Sequence, residues 1–397
     1  MSGAGFVFWI ISARLFTVSE VGLASSMISA MMLISTISML GLNIALIRYL
    51  PTSKNKGKKI GTTFVVVGLV SFVLGVIFIS GLSLFSPDLY FLKNNIIKSF
   101  IFILATVSWS WFGLIESVFI SLRRSDLVLI KNLVYSLFKV TLPIILIGLG
   151  IFGIFGSWVL STIIAFLFSM IMLIKEKIRI KIAIYDSIIK KIFRFSFANY
   201  FANFLYNAPG MIFPLMITTL ISPESTAYFY TSWMMSSIIF SISTSIANSL
   251  FAEGSCNLIN LQKLIKKSLS LIFMILVPIV LIFLIFGQYL LLFFGESYSY
   301  QGTEVVRILA ISSIFFSLNT ILLTIFKITN KIKKLLLLTL ITTIIILVIS
   351  YILLDLGIRG VALAWLIGHF LLSLYLIIDR FIINKYLIKN PKIINID

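Results

Sequence analysis

Long apolar runs, each about as long as a membrane is thick, dominate this sequence. About 20 helical residues cross a bilayer core of about 30 Å, and eleven runs approach or exceed that length. They cover residues 21–47, 60–85, 96–120, 127–149, 154–174, 196–220, 226–250, 268–292, 304–326, 335–354 and 361–380. An apolar stub of 14 residues, 3–16, precedes them, and as a helix it would be about 21 Å long. The sequence therefore predicts an all-α integral membrane protein with twelve transmembrane helices, the first of them short.

Composition excludes most other classes of protein. Hydrophobic residues make up 60% of the chain and charged residues 11%, against about 45–50% and about 25% in soluble proteins. A single cysteine, Cys256, excludes an internal disulfide, and a single histidine, His369, argues against a zinc site. The 13 acidic residues are scattered, and the sequence has no glycine-rich phosphate loop. We therefore expect neither an enzyme nor a resident metal or cofactor.

Lysine and arginine predict the orientation in the membrane. Most of the 32 basic residues lie in alternate connections, at 48–59, 123–131, 175–194, 263–267, 327–334 and 380–392. Basic connections stay on the cytoplasmic side, so we expect a multi-pass protein of the cell membrane with both termini in the cytoplasm. The net charge of +19 is then a topology signal rather than the sign of a nucleic-acid partner.

An internal repeat predicts two lobes. LGIFGIFGSW at 149–158 and LGIRGVALAW at 356–365 share Leu, Gly, Ile, Gly and Trp at a spacing of 207 residues (158 to 365). Six helices per half indicate a parallel repeat, with lobes at 1–180 and 196–397 and a cytoplasmic linker at 181–195. The linker alternates apolar and basic residues, which fits either an amphipathic surface helix or a simple tether. The counterpart of the seventh helix would begin ahead of residue 1, so the first helix is expected to be truncated.

Ionisable residues inside the predicted spans need a reason, because each costs at least about 2.5–3.5 kcal/mol at mid-bilayer. Lys139, central in the fifth helix, either binds an anionic substrate group in a wet cavity or pairs with a neighbouring carboxylate or helix end. Glu116 and Lys131 lie about one turn inside the ends of adjacent helices and are predicted to form a structural ion pair. A proton-carrying role for Glu116 is the alternative. His369, midway along the twelfth helix, is either a packing residue or a proton relay.

The seventh helix carries a polar face followed by helix-bending residues. Three asparagines recur every four residues and share one face: Asn199, Asn203 and Asn207. Two prolines and a glycine follow as a candidate hinge: Pro209, Gly210 and Pro214. Proline in a membrane helix frees backbone carbonyls and permits bending. The pattern favours a moving helix that lines a cavity, with hydrogen bonding between helices as the alternative.

Charged residues near the membrane faces suggest anchoring and pairing. Arg14 and Arg48 lie near opposite faces, where interfacial anchoring is the default interpretation. Glu304 and Arg307 are one turn apart at the start of the tenth helix, and we expect them to pair.

Several segments carry a resemblance to a known family. ARLFTVSEVGL at 13–23 is similar to the family pattern A-R-x-L-x-x-x-E-x-G-x, and LGLNIALIRYLP at 40–51 to G-L-x-x-A-L-I-R-F-L-P. AYFY at 227–230, SLFAEGS at 249–255 and LLFFGESY at 291–298 resemble later segments of a lipopolysaccharide-flippase-like branch. By their order and spacing the chain resembles the Wzx-type polysaccharide-biosynthesis flippases of the multidrug/oligosaccharidyl-lipid/polysaccharide exporter superfamily.

The resemblance implies a MATE-like fold of two six-helix lobes around a central cavity lined by helices 1 and 7. It implies alternating-access movement of a lipid-linked oligosaccharide or polysaccharide precursor outward across the cytoplasmic membrane. A lipid diphosphate needs a cation in the cavity, and Lys139 is the first candidate, with Arg14 and Arg48 behind it. The acid that drug-exporting relatives often carry in helix 1 is absent from the stub, which departs from that pattern. From their place inside the predicted spans, Glu116 and His369 are the candidates for coupling to a proton or sodium gradient. The implied partners are the lipid-diphosphate-linked glycan, membrane lipids and glycan-assembly enzymes, with the protein itself a monomer.

Two alternatives stay open at this point. A multidrug or organic-cation antiporter of the same fold would favour carboxylates and aromatic rings around a cationic drug. A membrane-embedded glycan polymerase or ligase would be expected to show a larger outer loop with charged catalytic residues, and the predicted outer connections are short.

Overall fold

The computed structural model describes residues 2–53, 55–176, 178, 180, 197–256 and 259–389. Within these ranges its regular secondary structure is helical. The helices of the first part are α1 (Ser2–Leu15), α2 (Val18–Ser38), α3 (Leu42–Tyr49), α4 (Lys56–Ser80), α5 (Leu82–Phe85), α6 (Ile96–Ser121), α7 (Ser125–Ile145) and α8 (Ile151–Lys175). Those of the second part are α9 (Phe197–Leu220), α10 (Pro223–Cys256), α11 (Leu261–Leu291), α12 (Glu296–Ile328), α13 (Ile332–Ile352) and α14 (Ile358–Lys389). Short 3-10 helices lie at Pro87–Leu92, Ile147–Leu149 and Leu354–Leu356.

Ten of the described helices are long and apolar enough to cross a membrane: α2, α4, α6, α7, α8 and α10 to α14. The chain is therefore a multi-pass all-α membrane protein, as its apolar runs predict. Helix α1 has 14 residues, and α9 carries three asparagines and two prolines in 24 residues. Neither belongs to the ten, so the number of twelve spans stays a prediction.

The second predicted helix is interrupted in the structure. The apolar run 21–47 predicts one continuous helix, and this prediction is wrong because α2 ends at Ser38 and α3 begins at Leu42. Between them Leu40 has a φ of 49° and Gly41 a φ of 79°. Left-handed backbone of this kind costs a glycine little and stops a right-handed helix. The interruption therefore redirects the chain inside a continuous apolar run.

The two matching turns of the internal repeat have the same backbone conformation. Each consists of a 3-10 helix followed by a glycine, Gly150 at φ 55° and ψ −129° and Gly357 at φ 62° and ψ −145°. Three residues later, the next helix passes close to the chain before it. A Cβ on Gly153 would lie 2.3 Å from Leu146 O, and one on Gly360 would lie 1.9 Å from Leu353 O. The shared sequence thus encodes one tight turn, used twice.

A methyl group at Gly360 should break this turn. Gly360→Ala puts a carbon inside contact distance of a backbone carbonyl, and we expect it to lower the free energy of unfolding by at least about 2 kcal/mol. Gly148→Ala is the matched control, because a Cβ there has no neighbour within 4 Å. Thermal unfolding of the purified variants in detergent measures both. Equal midpoints for the two variants would contradict the close approach.

The structure divides into two compact units. Unit 1 comprises Met1–Met234 and Gln288–Thr303, and unit 2 comprises Met235–Gly287 and Glu304–Asp397. In unit 1 a buried apolar cluster that includes Leu46, Phe64 and Val118 joins α3, α4 and α6. The predicted lobe boundary at 181–195 lies outside the described residues, so the two six-helix lobes stay a prediction.

Candidate functional site

Lys139 is buried inside unit 1 and points its amine at the faces of aromatic rings. It lies on α7, which packs against both α1 and α8, and its side chain is 4% exposed. The Nζ atom is 3.2 Å from the ring centroid of Trp158, 5.0 Å from that of Phe8 and 5.2 Å from that of Tyr135. We call Phe8, Tyr135 and Trp158 the aromatic cage. Each ring contributes a cation–π attraction, which is strongest where water is excluded.

The sequence of α7 places Lys139 in the cage through a four-residue repeat. Leu127, Lys131, Tyr135, Lys139 and Pro143 are its buried residues, and this spacing puts them on one face of a helix. The opposite face is apolar and exposed, as expected for a helix that faces lipid. The buried face therefore carries Lys131, Tyr135 and Lys139 and packs them against neighbouring helices.

Lys139 has no hydrogen bond or ion pair with any residue that the structure describes. Beside it on α1, a Cβ on Gly5 would lie 3.9 Å from Nζ, so the glycine leaves room next to the amine. Two further donors of the cage are buried and make no hydrogen bond within the described ranges, the Tyr135 hydroxyl and the Trp158 Nε1–H. A buried cation without an anion costs several kcal/mol. The cage therefore holds three buried donor groups, the Lys139 amine, the Tyr135 hydroxyl and the Trp158 indole N–H, that have no acceptor in the described part of the chain.

Neighbouring rings hold the cage in place. Trp109 lies 5.7 Å from Trp158 and 5.5 Å from Phe112 between ring centroids, and Phe112 lies 5.0 Å from Tyr135. On the other side Trp9 lies 4.7 Å from Tyr230. Such contacts between aromatic rings are each worth about 0.5–1.5 kcal/mol beyond their buried area. The position of the Trp158 face is thus set by packing and does not depend on Lys139 alone.

Glu116 and Lys131 are brought together two turns away from Lys139 on the same face of α7. Lys131 Nζ is 2.7 Å from Glu116 Oε2 and also donates to the backbone carbonyl of Phe112 at 3.3 Å. Lys131 is fully buried, whereas 31% of the Glu116 side chain is exposed. Helix α7 therefore presents two buried lysines, of which one is neutralised by a carboxylate and the other is surrounded by rings.

The asparagines of α9 lie on one side of a continuous helix. Asn203 and Asn207 are exposed, and Asn207 Nδ2 donates to the backbone carbonyl of Asn203 at 2.7 Å. The side chain of Asn199 lies outside the described part. The helix runs unbroken through the candidate hinge, Pro209, Gly210 and Pro214. A Cβ on Gly210 would lie 2.7 Å from the ring of Trp233, so this glycine permits close packing on α10.

The two arginine candidates lie away from the aromatic cage. Arg14, at the end of α1, donates to the carbonyls of Leu292 at 2.5 Å and Phe293 at 3.0 Å. These carbonyls follow the last residue of α11, where backbone acceptors lack partners and a cation is favourable. Arg48 is exposed at the end of α3, and its guanidinium lies 5.5 Å from the ring of the adjacent Tyr49.

His369 lies on α14 in unit 2, one turn after the repeat tryptophan. Trp365 is the repeat counterpart of Trp158, and the imidazole of His369 contacts it edge to face at 4.2 Å between ring centroids. Asn319 Nδ2 donates to the His369 carbonyl at 2.8 Å and lies 3.2 Å from Nδ1. The tryptophan of each repeat thus packs against a basic side chain, an amine in unit 1 and an imidazole in unit 2.

One predicted pair is wrong. Glu304 does not pair with Arg307: its Oε2 lies 2.8 Å from Nε of Arg359. Arg307 Nε donates instead to the backbone carbonyl of Leu284 at 3.0 Å. A charged residue can pair with a neighbour one turn away or with a group on another helix. Glu304 pairs with Arg359, which lies at the start of α14.

The sequence pattern of the family described as polysaccharide biosynthesis protein matches residues 1–251. No curated protein matches the chain in sequence.

Solved structures of membrane transporters resemble the whole chain. The inward-facing structure of a multidrug resistance MATE family transporter of the MOP superfamily has a TM-score of 0.74 at 16% identity, over 98% of this chain and 95% of that one. The lipid II flippase MurJ in an inward closed conformation has a TM-score of 0.75 at 14% identity, over 95% and 86%. A MOP superfamily transporter from Pyrococcus furiosus, described as having a binding pocket of reverse polarity, has a TM-score of 0.58 at 16% identity, over 94% and 89%. These similarities show that the fold is MATE-like.

Proposed function

Because the chain belongs to the polysaccharide biosynthesis protein family, we propose that it moves a lipid-linked oligosaccharide or polysaccharide precursor across the cytoplasmic membrane. It would carry the glycan outward by alternating access. The positive-inside rule places both termini in the cytoplasm in this proposal.

The aromatic cage is the observation that carries the proposal. A lipid-linked glycan joined through a diphosphate is an anion rich in hydrogen-bond acceptors. Lys139 Nζ, Tyr135 Oη and Trp158 Nε1 are donors without acceptors in the described part of the chain. A phosphate oxygen would neutralise the buried ammonium and accept these hydrogen bonds, which are stronger when one partner is charged. Arg14 and Arg48 would act as secondary cations near the two membrane faces.

The organic-cation antiporter of the same fold is less well supported. A cationic drug would have to approach a site whose own buried charge is positive, and like charges in a low-dielectric interior repel strongly. Glu116 of α6, a carboxylate that contacts the buried face of α7, is already paired with Lys131. The cage thus favours an anionic substrate over a cationic one.

In this proposal, transport is coupled to an ion gradient through residues outside the aromatic cage. Glu116 is partly exposed and could exchange a proton only by weakening its pair with Lys131, whereas His369 lies in unit 2 against Trp365. A proton or sodium gradient would act through one of these two residues.

Deletion of the gene tests the proposed function. Because the precursor would be made on the cytoplasmic side, the deletion strain is expected to accumulate lipid-linked sugar on the inner leaflet and to lose surface glycan. Expression of the chain should restore both. Normal surface glycan with no inner accumulation, in a strain without a second flippase, would contradict the proposal.

A further inference from the structure

We propose that a small polar cavity between α10 and α11 in unit 2 binds the headgroup of a phospholipid that carries both a phosphate and a primary ammonium, as phosphatidylethanolamine does. The cavity has a volume of about 110 Å³. It is lined by one face of α10, from Ile246 to Glu253, and by one face of α11, from Leu264 to Leu271. One water occupies about 30 Å³ in the liquid, so the cavity has room for more than a single ion or water.

The cavity holds one negative and one positive side chain that do not pair with each other. Glu253 of α10 and Lys267 of α11 both line it, and neither forms an ion pair with any residue that the structure describes. The SLFAEGS segment at 249–255 supplies Glu253 together with Ser249, whose hydroxyl donates to Glu253 Oε1 at 3.4 Å. The carboxylate keeps acceptor capacity and the amine keeps its donors. Separate charges of opposite sign on one cavity match a ligand that carries both charges.

A buried hydroxyl lines the same cavity without a partner. Ser268 follows Lys267 on α11, is 8% exposed and makes no hydrogen bond within the described ranges. Other buried helix serines of unit 2 donate to a carbonyl one turn earlier, as Ser317 and Ser350 do. Buried polar groups in folded proteins almost always have a hydrogen-bond partner. The Ser268 hydroxyl is therefore available to a ligand, to which it would donate beside the Lys267 amine.

The two charges lie where the apolar runs end, which is the depth of lipid headgroups. Glu253 follows the apolar run 226–250, and Lys267 directly precedes the run 268–292. Apolar runs of this length cover the hydrocarbon core, so charges just beyond them lie in the interfacial region. The basic connection at 263–267 places this end of the helices on the cytoplasmic side under the positive-inside rule. The ligand is therefore a lipid of the cytoplasmic leaflet.

An exposed apolar strip continues from the cavity along α11. Leu271 lines the cavity, and Met274 and Ile275 are exposed one turn further into the apolar run. Residues three and four apart share one face of a helix, so these side chains offer a surface for an acyl chain. Burial of apolar surface is favourable, and the strip therefore favours a lipid over a soluble molecule with the same headgroup.

The carboxylate selects against other common headgroups. Phosphatidylglycerol would bring a phosphate to Lys267 but no cation to Glu253, and the two anions would repel each other. Phosphatidylcholine would bring a quaternary nitrogen, which has no N–H to donate. A primary ammonium donates to the carboxylate while the phosphate accepts from Lys267 and Ser268. Hydrogen bonds between charged groups are stronger than neutral ones, so the ethanolamine headgroup is the best match.

Native mass spectrometry of the purified protein in detergent tests the selectivity of the cavity. Three lipids with identical acyl chains and ethanolamine, glycerol or choline headgroups are added at equal concentration. We expect phosphatidylethanolamine to bind about tenfold more tightly than the other two, the ratio given by about 1.4 kcal/mol of binding. Equal affinity for the three lipids would overturn the inference.

Variants of the two charges show whether the cavity is the cause of this preference. Glu253→Gln should remove the preference for phosphatidylethanolamine over phosphatidylglycerol, and Lys267→Gln should weaken the binding of both. Lys266→Gln is the matched control, because Lys266 is also exposed, lies one residue earlier and does not line the cavity. Since Glu253 and Lys267 are exposed, all three variants are expected to fold. A preference that survives in Glu253→Gln would overturn the inference.

Soluble phosphoethanolamine shows whether the ligand is a lipid. At the concentration at which phosphatidylethanolamine saturates the protein, it should displace little of the lipid because it has no chains for the strip on α11. Complete displacement would overturn the assignment of a lipid. These results do not depend on which substrate is carried, because Glu253 and Lys267 are in unit 2 and the aromatic cage is in unit 1.

Discussion

Replacing Lys139 by methionine is expected to abolish complementation of a flippase-deficient strain while the protein remains in the membrane at the wild-type level. Methionine keeps most of the side-chain length and contacts aromatic rings favourably, so the cage should still pack. It removes a buried ammonium that has no anion in the described part of the chain, and this removal relieves desolvation. The loss would therefore be one of substrate binding and not of folding. Surface glycan and membrane content of the protein are measured in the same cells.

Two variants show whether the charge of Lys139 is the cause. Lys139→Arg should retain part of the activity if a positive charge is what the substrate needs. Lys98→Met is the matched control, since Lys98 Nζ also lies over two rings, those of Phe91 and Phe152, each at 5.5 Å. Because Lys98 lies outside the cage, its replacement should leave complementation unchanged. Full activity of Lys139→Met would remove Lys139 from the substrate site.

Breaking the ion pair between Glu116 and Lys131 should have the largest effect on stability. Glu116→Ala leaves the fully buried ammonium of Lys131 without its carboxylate. Removing one partner of a buried pair costs about 3–5 kcal/mol, so we expect a strong fall in thermal stability in detergent and little folded protein in the membrane.

Double variants show whether stability depends on the pairing of Glu116 with Lys131 or only on the presence of the two charges. The swap Glu116→Lys with Lys131→Glu should recover part of the stability lost in either single reversal. The neutral pair Glu116→Gln with Lys131→Met should be near wild type, since replacing both charges removes the desolvation cost together with the attraction. A swap that is no more stable than the single reversals, or a fully stable Glu116→Ala, would contradict the structural role of the pair.

The apolar runs were sufficient to predict where most helices lie, for a physical reason. A backbone in hydrocarbon must satisfy its own hydrogen bonds, so an apolar run of membrane length has few alternatives to a helix. The repeat at 149–158 and 356–365 predicted two lobes and not the backbone of its turns. The turns share one conformation because Gly150 and Gly357 adopt a backbone that other residues rarely reach.

The interruption between α2 and α3 was not predicted, because hydropathy carries no information on backbone conformation. Gly41 was visible in the sequence, but an isolated glycine is tolerated in membrane helices. The left-handed Leu40 beside it has no sequence signal of its own.

The site was only half predictable. Depth in the membrane singled out Lys139, and the short loop between α6 and α7 placed Glu116 near Lys131. The cage itself is formed by residues distant in sequence, Phe8 and Trp158, which depends on how α1 and α8 pack on α7. The four-residue spacing of Lys131, Tyr135 and Lys139 was an available signal that they share a face. The ion pair of Glu304 could not be predicted from sequence, because Arg307 is close in sequence but Arg359 is its partner in the structure.

Substrate polarity in purified proteoliposomes tests the central claim most directly. Vesicles containing the wild-type protein or Lys139→Met are given either an isoprenyl-diphosphate oligosaccharide or tetraphenylphosphonium, a lipophilic cation. The account predicts that the wild-type protein moves the anionic glycan lipid and not the cation, and that Lys139→Met moves neither. Movement of the cation alone, or equal movement of the glycan lipid by both proteins, would contradict it.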